Sequence, residues 1–486
     1  MQKWTEDDIR RLGCQAAEII ARYFEALQTI PITPRHPVGI PALFDGPMPE
    51  RGEDPFQLLA ELEQKVIPNS FHLASPGYFG LFNPTPTVIG VFADAIASTL
   101  NQNMAAWSHG PAGTQIEKTV IRWLADLLGF PPQAFGTLTN GGSLANYTGL
   151  KVALNERVPE VRRIGVAAAE GRPTFYVSTQ AHYSVDRLAD LLGIGTEGMR
   201  RIECDAQARL APEALERQIR VDLSGGRLPF CAIGIAGTTT SGSVDPLEAI
   251  ADICARHRLW FHVDAAWGGA ARMSRRQSGL LAGIERADSV TLDPHKWFSV
   301  PFAAGAIIVR DGASLRRTFE VAPLYVTDRI FTEHEDLNLF QFGVAGSRRF
   351  DALKVWLSLR QHGRSGYEQA VDRQAALAEY LASLVQASDD FEGMSEPSLG
   401  VYCFRHVPRG MEGRDDELDA LQMRIQDELH RTGSSWVSTS VLRGRRVLRF
   451  CVTSYLSREE HVDRLVLDVR SAAASSGRIP PGGSDR

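Results

Sequence analysis

The apolar positions of the chain follow two patterns, and each pattern predicts one type of element. Near the start, apolar residues recur at helical spacing and predict a helix with one apolar stripe; they are Ile9, Leu12, Ala16, Ile19, Ile20, Tyr23 and Phe24. A proline-rich stretch from Pro31 to Pro49 predicts extended chain. Further along, short continuous apolar runs predict buried strands at residues 174–177, 230–236, 259–263, 289–292 and 305–309.

Helical segments lie between these runs. Thr114 and Glu117 have the spacing of a capping box and predict the start of a helix that ends at Gly129. Asp245 and Pro246 predict another helix start, with Asp245 as the capping side chain. Continuous apolar strands separated by helices predict an α/β domain with a mostly parallel sheet that is covered on both faces.

After residue 366 the pattern is that of a smaller α+β unit. It predicts helices at 367–385, 415–430 and 458–470, and strands at 401–404, 436–442 and 447–453. We therefore divide the chain into a helical and extended arm (1–78) that packs on another domain or subunit, a large domain (79–362), a small C-terminal domain (363–474) and a disordered tail (475–486).

Composition narrows the class of protein. Of 486 residues, 44% are hydrophobic and 23% charged, which is typical of a soluble globular protein and excludes a disordered or fibrous chain. The formal net charge of −6 argues against a general nucleic-acid binder. The basic cluster of Arg443, Arg445, Arg446 and Arg449 is therefore interpreted as a solvated strand face.

No apolar run approaches the roughly 20 residues of a membrane-spanning helix, so no membrane association is expected. The polar start of the chain predicts no secretory signal. Six scattered cysteines without a C-x-x-C pair predict reduced thiols and a cytoplasmic location, and they argue against a zinc site or other bound metal.

One motif matches a cofactor-binding pattern but lacks the structural context that the pattern requires. Residues 193–198 match the dinucleotide-binding pattern G-x-G-x-x-G. That pattern requires a preceding strand and a following helix, whereas here a helix is predicted before it and a strand after it. We therefore do not expect nicotinamide binding. Serine hydrolase and zincin motifs are absent from the sequence.

Three features of the α/β region carry candidate chemistry. Residues 139–143 (Thr-Asn-Gly-Gly-Ser) combine glycines, a hydroxyl and a helix start, which suits an anion but also an ordinary capped loop. Asp264 ends an apolar strand, where it either serves a ligand or caps the next turn. Lys296 follows another apolar run, as a solvated charge or as a buried amine able to form a Schiff base.

Together these features suggest pyridoxal phosphate. This cofactor requires an anion cradle for its phosphate, a lysine for its aldehyde and an acid opposite its ring nitrogen.

The order of motifs resembles the pyridoxal-phosphate-dependent group II decarboxylases, in particular aromatic-L-amino-acid decarboxylases and their bacterial relatives. The resemblance runs from about residue 4 to residue 466. It rests on Ser-Pro-Gly-Tyr-Phe at 75–79, Gly-Gly-Ser-Leu-Ala-Asn at 141–146, Ala-His at 181–182, His-Val-Asp-Ala-Ala at 262–266 and Asp-Pro-His-Lys-Trp at 293–297.

The resemblance implies an aspartate-aminotransferase-type (fold type I) fold and roles for matching residues. Lys296 would hold the cofactor covalently and Asp264 would pair with its ring nitrogen. His182 would stack on one face of the ring and Ala266 would pack on the other. The implied reaction converts an L-amino acid to its amine and CO2.

The remaining implied contacts concern the phosphate, the ring oxygen and the subunits. Gly142 and Ser143 would hold the phosphate with help from His295, and Thr239 would lie near the ring oxygen. The family also implies an intertwined homodimer with shared active sites.

One departure from the family concerns proton transfer. Aromatic-amino-acid decarboxylases carry a loop tyrosine thought to protonate the substrate carbon, and counting back from Phe350 places Leu339 at its position. Another donor is then needed, and His182, His334 and water are the alternatives. Loss of this tyrosine in relatives goes with oxidative decarboxylation to an aldehyde, which is therefore a second hypothesis. A further departure is Asp293, which stands where many relatives have asparagine and is expected to face away from the phosphate.

The substrate is the remaining question. Phe79, Phe82 and Trp107 lie in segments that line the pocket in relatives and favour an aromatic amino acid, although core packing would also explain them. An acidic or diamino acid is the alternative, but no extra arginine is evident in these segments. A non-catalytic scaffold and an aminotransferase are the rival classes.

Overall fold

The computed structural model describes residues 3–34, 39–321 and 337–476. Its helices are α1 (Glu6–Ala26), α2 (Ile40–Phe44), α3 (Pro55–Glu61), α4 (Val88–Leu100), α5 (Pro111–Leu127), α6 (Gly142–Arg157), α7 (Val161–Ile164), α8 (Ser184–Leu191), α9 (Pro212–Ser224), α10 (Leu247–His257), α11 (Gly312–Phe319), α12 (Ala352–Gln386), α13 (Asp415–Thr432) and α14 (Glu459–Ser476). Its strands are β1 (Tyr78–Phe79), β2 (Phe135–Thr139), β3 (Arg172–Ser178), β4 (Met199–Ile202), β5 (Arg227–Ile235), β6 (Trp260–Asp264), β7 (Ser289–Leu292), β8 (Gly305–Val309), β9 (Phe391–Gly393), β10 (Val401–His406), β11 (Trp436–Leu442) and β12 (Arg445–Cys451).

Seven strands form the large sheet, in the order β2-β8-β7-β6-β5-β3-β4. Only β8 runs against its neighbours β2 and β7, and the other pairs are parallel. The five apolar runs predicted to be strands are β3, β5, β6, β7 and β8, so these predictions are confirmed. Because all the strands except β8 point the same way, their carboxyl ends meet at one edge of the sheet.

Apolar clusters cover both faces of this sheet, as the continuous apolar strands predict. One cluster includes residues of α5, α10 and α12, such as Leu124, Ile250 and Val355. The other includes residues of α6 and α8, such as Leu150 and Leu188. The large domain is therefore a three-layer α/β structure.

The predicted start of α5 is wrong. The helix begins at Pro111, so Thr114 and Glu117 lie inside it and are buried. The Glu117 carboxylate accepts hydrogen bonds from the Leu138 amide and from the Arg348 guanidinium. Glu117 therefore serves a buried polar contact between α5 and β2, and it does not cap the helix.

The predicted cap of α10 is also wrong. The helix begins at Leu247, and Asp245 makes no capping hydrogen bond. Its buried carboxylate instead accepts from the amides of Leu210 and Ile235, at 2.7 and 2.8 Å. Asp245 thus joins the loop before α9 to the end of β5.

The glycine motif at 193–198 lies between α8 and β4. The helix precedes the motif and the strand follows it, so the predicted order is confirmed and the dinucleotide geometry is not present.

The second sheet has the order β1-β11-β12-β10-β9, and α13, α14 and the end of α12 pack on it. Strand β1 pairs with β11, so Phe79 belongs to the C-terminal sheet, although the predicted division assigns it to the large domain. Helix α12 is interrupted at Gly363 (φ +59°), where the predicted division places the boundary between the large and the small domain. The tail predicted from Ser475 begins inside α14, and residues 477–486 lie outside the described residues.

The N-terminal arm contains α1, as predicted, with a capping box formed by Thr5 and Asp8. Ile19 is its one buried residue, and Ile9 is exposed. Within the described ranges, no helix combines the length and apolar character needed to span a bilayer.

Candidate active site

The loops that follow the carboxyl ends of the large sheet bring the predicted site residues together. Strand β2 leads into residues 140–143, β6 ends at Asp264, and β7 leads into Asp293 and Lys296. Strands β6 and β7 are neighbours, so Asp264 and Lys296 belong to adjacent loops.

A glycine turn begins α6 and leaves space for an anion. Gly141 has φ +141°, a conformation that favours glycine. A Cβ atom at Gly142 would lie 2.8 Å from Asp293 Oδ2 and 3.2 Å from Ala266 Cβ, so only glycine fits here without displacement. Ser143 is exposed in the first turn of this 16-residue helix. Free amides at a helix start suit a phosphate group.

Asp293 faces the site, and the expectation that it faces away is wrong. Its Oδ2 atom lies 3.0 Å from Lys296 Nζ, and its Oδ1 atom is buried without a hydrogen-bond partner in the part of the chain that the structure describes. The Lys296 side chain is 23% exposed whereas that of Asp293 is 1% exposed. The lysine amine attracts the carboxylate into the same region as Gly142, which explains the orientation.

Both oxygens of Asp264 are held. The side-chain amide of Asn146 donates to Oδ2 at 2.8 Å, and the backbone amide of Ala266 donates to Oδ1 at 3.1 Å. Ala266 is buried and lies against the position of Gly142. The carboxylate at the end of β6 is thus fixed in orientation.

His182 lies within the electrostatic reach of three charged residues of the site. The Ser184 amide donates to its Nδ1 at 3.3 Å, so a neutral ring carries its proton on Nε2. Burial lowers the pKa of His182, and the nearby carboxylate of Asp264 opposes this while the ammonium of Lys296 adds to it.

His295 is buried beside the glycine turn. Its Cε1 atom would be 3.4 Å from a Cβ atom at Gly141, and its ring packs on Phe302 with centroids 4.1 Å apart. The backbone of Ala304 holds its Nδ1 atom. Burial lowers the pKa of His295, although the Asp293 carboxylate opposes this effect.

Three aromatic rings form a stack that starts next to the lysine. Phe82 lies 4.2 Å from Trp267, and Trp267 lies 4.7 Å from Trp297, between ring centroids. Lys296 Nζ is 5.7 Å from the Phe82 centroid. Phe79, by contrast, is fully buried against Phe450 in the C-terminal core, so its predicted place in the pocket is wrong and the core-packing alternative holds.

Arg449 is the site residue that sequence reasoning missed. It is 2% exposed, so its interpretation as part of a solvated face is wrong. Its guanidinium lies 4.7 Å from the Phe82 centroid and donates to the carbonyl oxygens of Gly80 and Thr239, while Nη2 is buried without a partner. Its position inside the apolar run 447–452 was the available signal.

Trp107 begins a short 3-10 turn at residues 107–109, and its backbone amide donates to the side chain of Asn338. It therefore lies beside the segment that contains Leu339. Leu339 is 1% exposed and packs in the core of the large domain. His334, one of the alternative proton donors, lies outside the described residues.

The site accommodates pyridoxal phosphate by its chemistry. It combines an anion cradle kept open by glycine, an amine beside an aromatic wall, and a fixed carboxylate. Residues 37–407 match the family described as the pyridoxal-dependent decarboxylase conserved domain. The chain belongs to this family. It is a pyridoxal-phosphate-dependent amino-acid decarboxylase, as the sequence resemblance predicts.

Relatives of the family match nearly the whole chain. An aromatic-L-amino-acid decarboxylase from Bacillus atrophaeus is 34% identical over 469 residues, which cover 96% of each protein. A cysteine sulfinic acid decarboxylase from Mus musculus is 33% identical over 397 residues, covering 81% of this chain and 79% of that one. The crystal structure of Oryza sativa TDC with PLP and tryptamine superimposes with a TM-score of 0.91 at 28% identity, covering 98% and 99% of the two chains. The predicted fold type I architecture is thereby confirmed.

Proposed function

We propose that this family member decarboxylates an aromatic L-amino acid to its amine and CO2. The observation that carries the proposal is the ring of Phe82, which stacks on Trp267 and lies 5.7 Å from Lys296 Nζ. A partly exposed apolar ring next to the reactive amine favours a substrate with an aromatic side chain, which can contact the ring edge. The similarity to an aromatic-L-amino-acid decarboxylase over 96% of the chain supports this choice.

We propose the following holders for the cofactor. Lys296 would hold its aldehyde group, Asp264 would pair with its ring nitrogen, and His182 and Ala266 would contact its ring. When bound, pyridoxal phosphate accepts the electron pair of the bond that breaks between the substrate Cα and its carboxylate. Asp264 favours this chemistry because a fixed carboxylate keeps the ring nitrogen protonated.

The phosphate is assigned to the start of α6. Gly142 and Ser143 offer backbone amides and a hydroxyl, and His295 lies beside them. Thr239 is assigned to the ring oxygen, since Arg449 holds the backbone of this residue close to the site.

Arg449 is proposed to orient the substrate. Its Nη2 atom has no partner in the described structure, and its guanidinium lies over Phe82. A carboxylate is the natural partner of a buried guanidinium. Every amino-acid substrate has an α-carboxylate, so Arg449 does not by itself favour an acidic substrate.

A second candidate reaction is oxidative decarboxylation to an aldehyde. Leu339 is apolar and buried, and burial disfavours the protonated form of His182, so proton delivery to the substrate carbon is weakened. Molecular oxygen would then take two electrons: the amino acid, O2 and water give the aldehyde, CO2, ammonia and hydrogen peroxide.

The deciding experiment is a substrate panel with the purified holoenzyme, under air and under argon. L-Tryptophan, L-tyrosine and L-phenylalanine are compared with L-glutamate, cysteine sulfinate and L-2,4-diaminobutyrate, and CO2, amine, aldehyde and peroxide are measured. We expect stoichiometric amine and CO2 from an aromatic substrate in both atmospheres. Aldehyde and peroxide under air alone would establish the oxidative route, and preference for an acidic or diamino substrate would contradict the proposal.

Two variants support the interpretation of the panel. Lys296→Ala is expected to abolish turnover and the visible absorption of the bound cofactor. Phe82→Leu is expected to raise the KM for an aromatic substrate about fivefold, since aromatic stacking contributes about 1 kcal/mol. An unchanged KM in Phe82→Leu would contradict the aromatic wall.

We further propose a homodimer in the cytoplasm. Helix α4 supports the dimer because four residues one turn apart, Val88, Phe92, Ile96 and Leu100, are 41–56% exposed and form an apolar stripe.

The proposed cytoplasmic location is supported by the six cysteines, all of which are free thiols. Cell fractionation tests it, and recovery in a secreted or membrane fraction would contradict it.

A further inference from the structure

Behind Asp264, four buried side chains form a continuous chain of hydrogen bonds. Asn146 Nδ2 donates to Asp264 Oδ2 at 2.8 Å, and Asn146 Oδ1 lies 2.9 Å from His262 Nε2. His262 Nδ1 lies 2.8 Å from Ser289 Oγ, which accepts from Trp260 Nε1 at 2.8 Å. These four residues are at most 6% exposed.

The Asp264 end of the chain fixes the direction of the hydrogen bonds as far as His262. The Asp264 carboxylate only accepts, so the Asn146 amide nitrogen must face it and the amide oxygen must accept from His262 Nε2. The Trp260 indole only donates, so the Ser289 hydroxyl accepts from it and is able to give its own hydrogen to His262 Nδ1. His262 therefore carries a proton on Nε2, and in the neutral ring Nδ1 accepts from Ser289.

The surrounding elements hold His262 in this state. Its ring lies between the sheet and α6, where a Cβ atom at Gly149 would come within 2.8 Å of His262 Cε1. Ser289 is the register partner of His262 on β7. Burial lowers the pKa of His262 to about 4, although the Asp264 carboxylate opposes this. The ring is therefore neutral at neutral pH, with its single proton on Nε2.

We propose that Asn146, His262 and Ser289 act as positioning residues that keep Asp264 ionised and aimed at the ring nitrogen of the cofactor. This inference rests on the proposed role of Asp264. A carboxylate that accepts directed hydrogen bonds is stabilised in its charged form. The group next to Asp264 in this chain is the Asn146 amide, which is not an acid at neutral pH, so the chain orients the carboxylate without protonating it. A rotated or protonated Asp264 would leave that nitrogen without its counter-charge.

The first test uses the protein without any substitution. Histidine 15N NMR of the apoprotein at pH 7 reports which ring nitrogen carries the proton. We expect His262, assigned by loss of its signal in His262→Gln, to be neutral with the proton on Nε2. An imidazolium, or a proton on Nδ1, would overturn the proposal.

The second test measures the protonation of the cofactor's ring nitrogen. The holoenzyme is reconstituted with pyridoxal phosphate labelled with 15N in the ring, and the chemical shift of the ring nitrogen is recorded. We expect Asn146→Leu and His262→Phe to move the signal toward the unprotonated value and to weaken cofactor binding about tenfold, as loss of outer partners does at metal sites. His262→Gln, whose amide can donate to Asn146, is expected to restore most of the shift.

Asn155→Leu is the matched control. Asn155 lies on the same helix, is buried, and has no hydrogen-bond partner for either side-chain atom among the described residues. Its replacement should leave the signal unchanged. If the signal is unchanged in Asn146→Leu and His262→Phe as well, the positioning role is refuted.

The Asp264→Asn variant distinguishes a failure of the positioning role from a failure of the proposed role of Asp264 itself. A signal that moves in Asp264→Asn but in neither of those two variants refutes the positioning chain alone. A signal that does not move in Asp264→Asn refutes the assignment of Asp264, and the positioning role with it. Ser289→Ala is the milder variant if the others fail to fold, and it is expected to shift the signal in the same direction.

Discussion

Asp293 places a carboxylate between the reactive amine and the proposed phosphate cradle. Its Oδ2 atom is 3.0 Å from Lys296 Nζ and would be 2.8 Å from a Cβ atom at Gly142. In the apoprotein this charge pairs with the lysine. The same charge would repel a phosphate held in this cradle, and Asp293 would lose its ion pair if Lys296 held the cofactor.

Asp293→Asn is therefore expected to bind pyridoxal phosphate more tightly, by about tenfold, because the variant removes the repulsion and frees the amine. The dissociation constant is measured by absorbance titration of the apoprotein in phosphate-free buffer. Asp416→Asn, a substitution at an exposed residue of α13, is the control. Equal or weaker binding in Asp293→Asn would mean that the carboxylate assists cofactor binding.

At the residue scale, sequence identifies groups by their order in the chain but not by their surroundings. Lys296 and Asp264 were found because each follows an apolar strand, and the ends of parallel strands meet. The burial of Arg449 depends on partners more than 100 residues away, such as Phe82 and Thr239. Local spacing carries no information about such contacts.

At the element scale, α4 presents an apolar stripe to the surface. Its inner face packs on α12, where Gly90, Ala93 and Ala97 are buried, so the outer residues have no partner within the described chain. Exposed apolar rows of this size typically mark an interface.

Ile96→Glu is expected to convert the proposed dimer to a monomer, because the charge would have to be desolvated in the interface. Sedimentation velocity or light scattering measures the change in mass. Val221→Glu is the matched control, since Val221 is an exposed apolar residue on α9, outside the apolar stripe of α4. If both variants keep the mass of the unsubstituted protein, α4 is not the interface.

Strands were predicted better than helix starts for a physical reason. A strand buried on both faces must be apolar at every position, so the sequence itself records its burial. A capping signal is only a pair of polar residues. In Glu117 and Asp245 the same residue types serve backbone amides of distant segments instead.

At the scale of the whole molecule, buried histidines link stability to pH. Burial lowers the pKa of His262 from 6.5 to about 4. As the pH falls below 6.5 the unfolded chain takes up this proton before the folded protein does, so acidification favours unfolding. The lowered pKa values of His182 and His295 act in the same direction.

We therefore expect the free energy of unfolding of the apoprotein to fall between about pH 6.5 and pH 4, with about 3 kcal/mol contributed by His262. Urea unfolding at several pH values measures this. The slope should be reduced in His262→Gln and unchanged in His109→Gln, which replaces an exposed histidine. An identical slope in His262→Gln and the unsubstituted protein would contradict the expectation.

The aromatic stack beside Lys296 also connects the large domain to the C-terminal domain. The Trp267 indole donates to the carbonyl of Leu399, and the Trp297 indole donates to Gln374, whose amide reaches the carbonyl of Thr453. The two tryptophans of this stack are thus hydrogen-bonded to residues of the C-terminal domain. A displacement of the C-terminal sheet would therefore shift the tryptophan that supports Phe82, so the position of the proposed substrate surface depends on how the two domains pack.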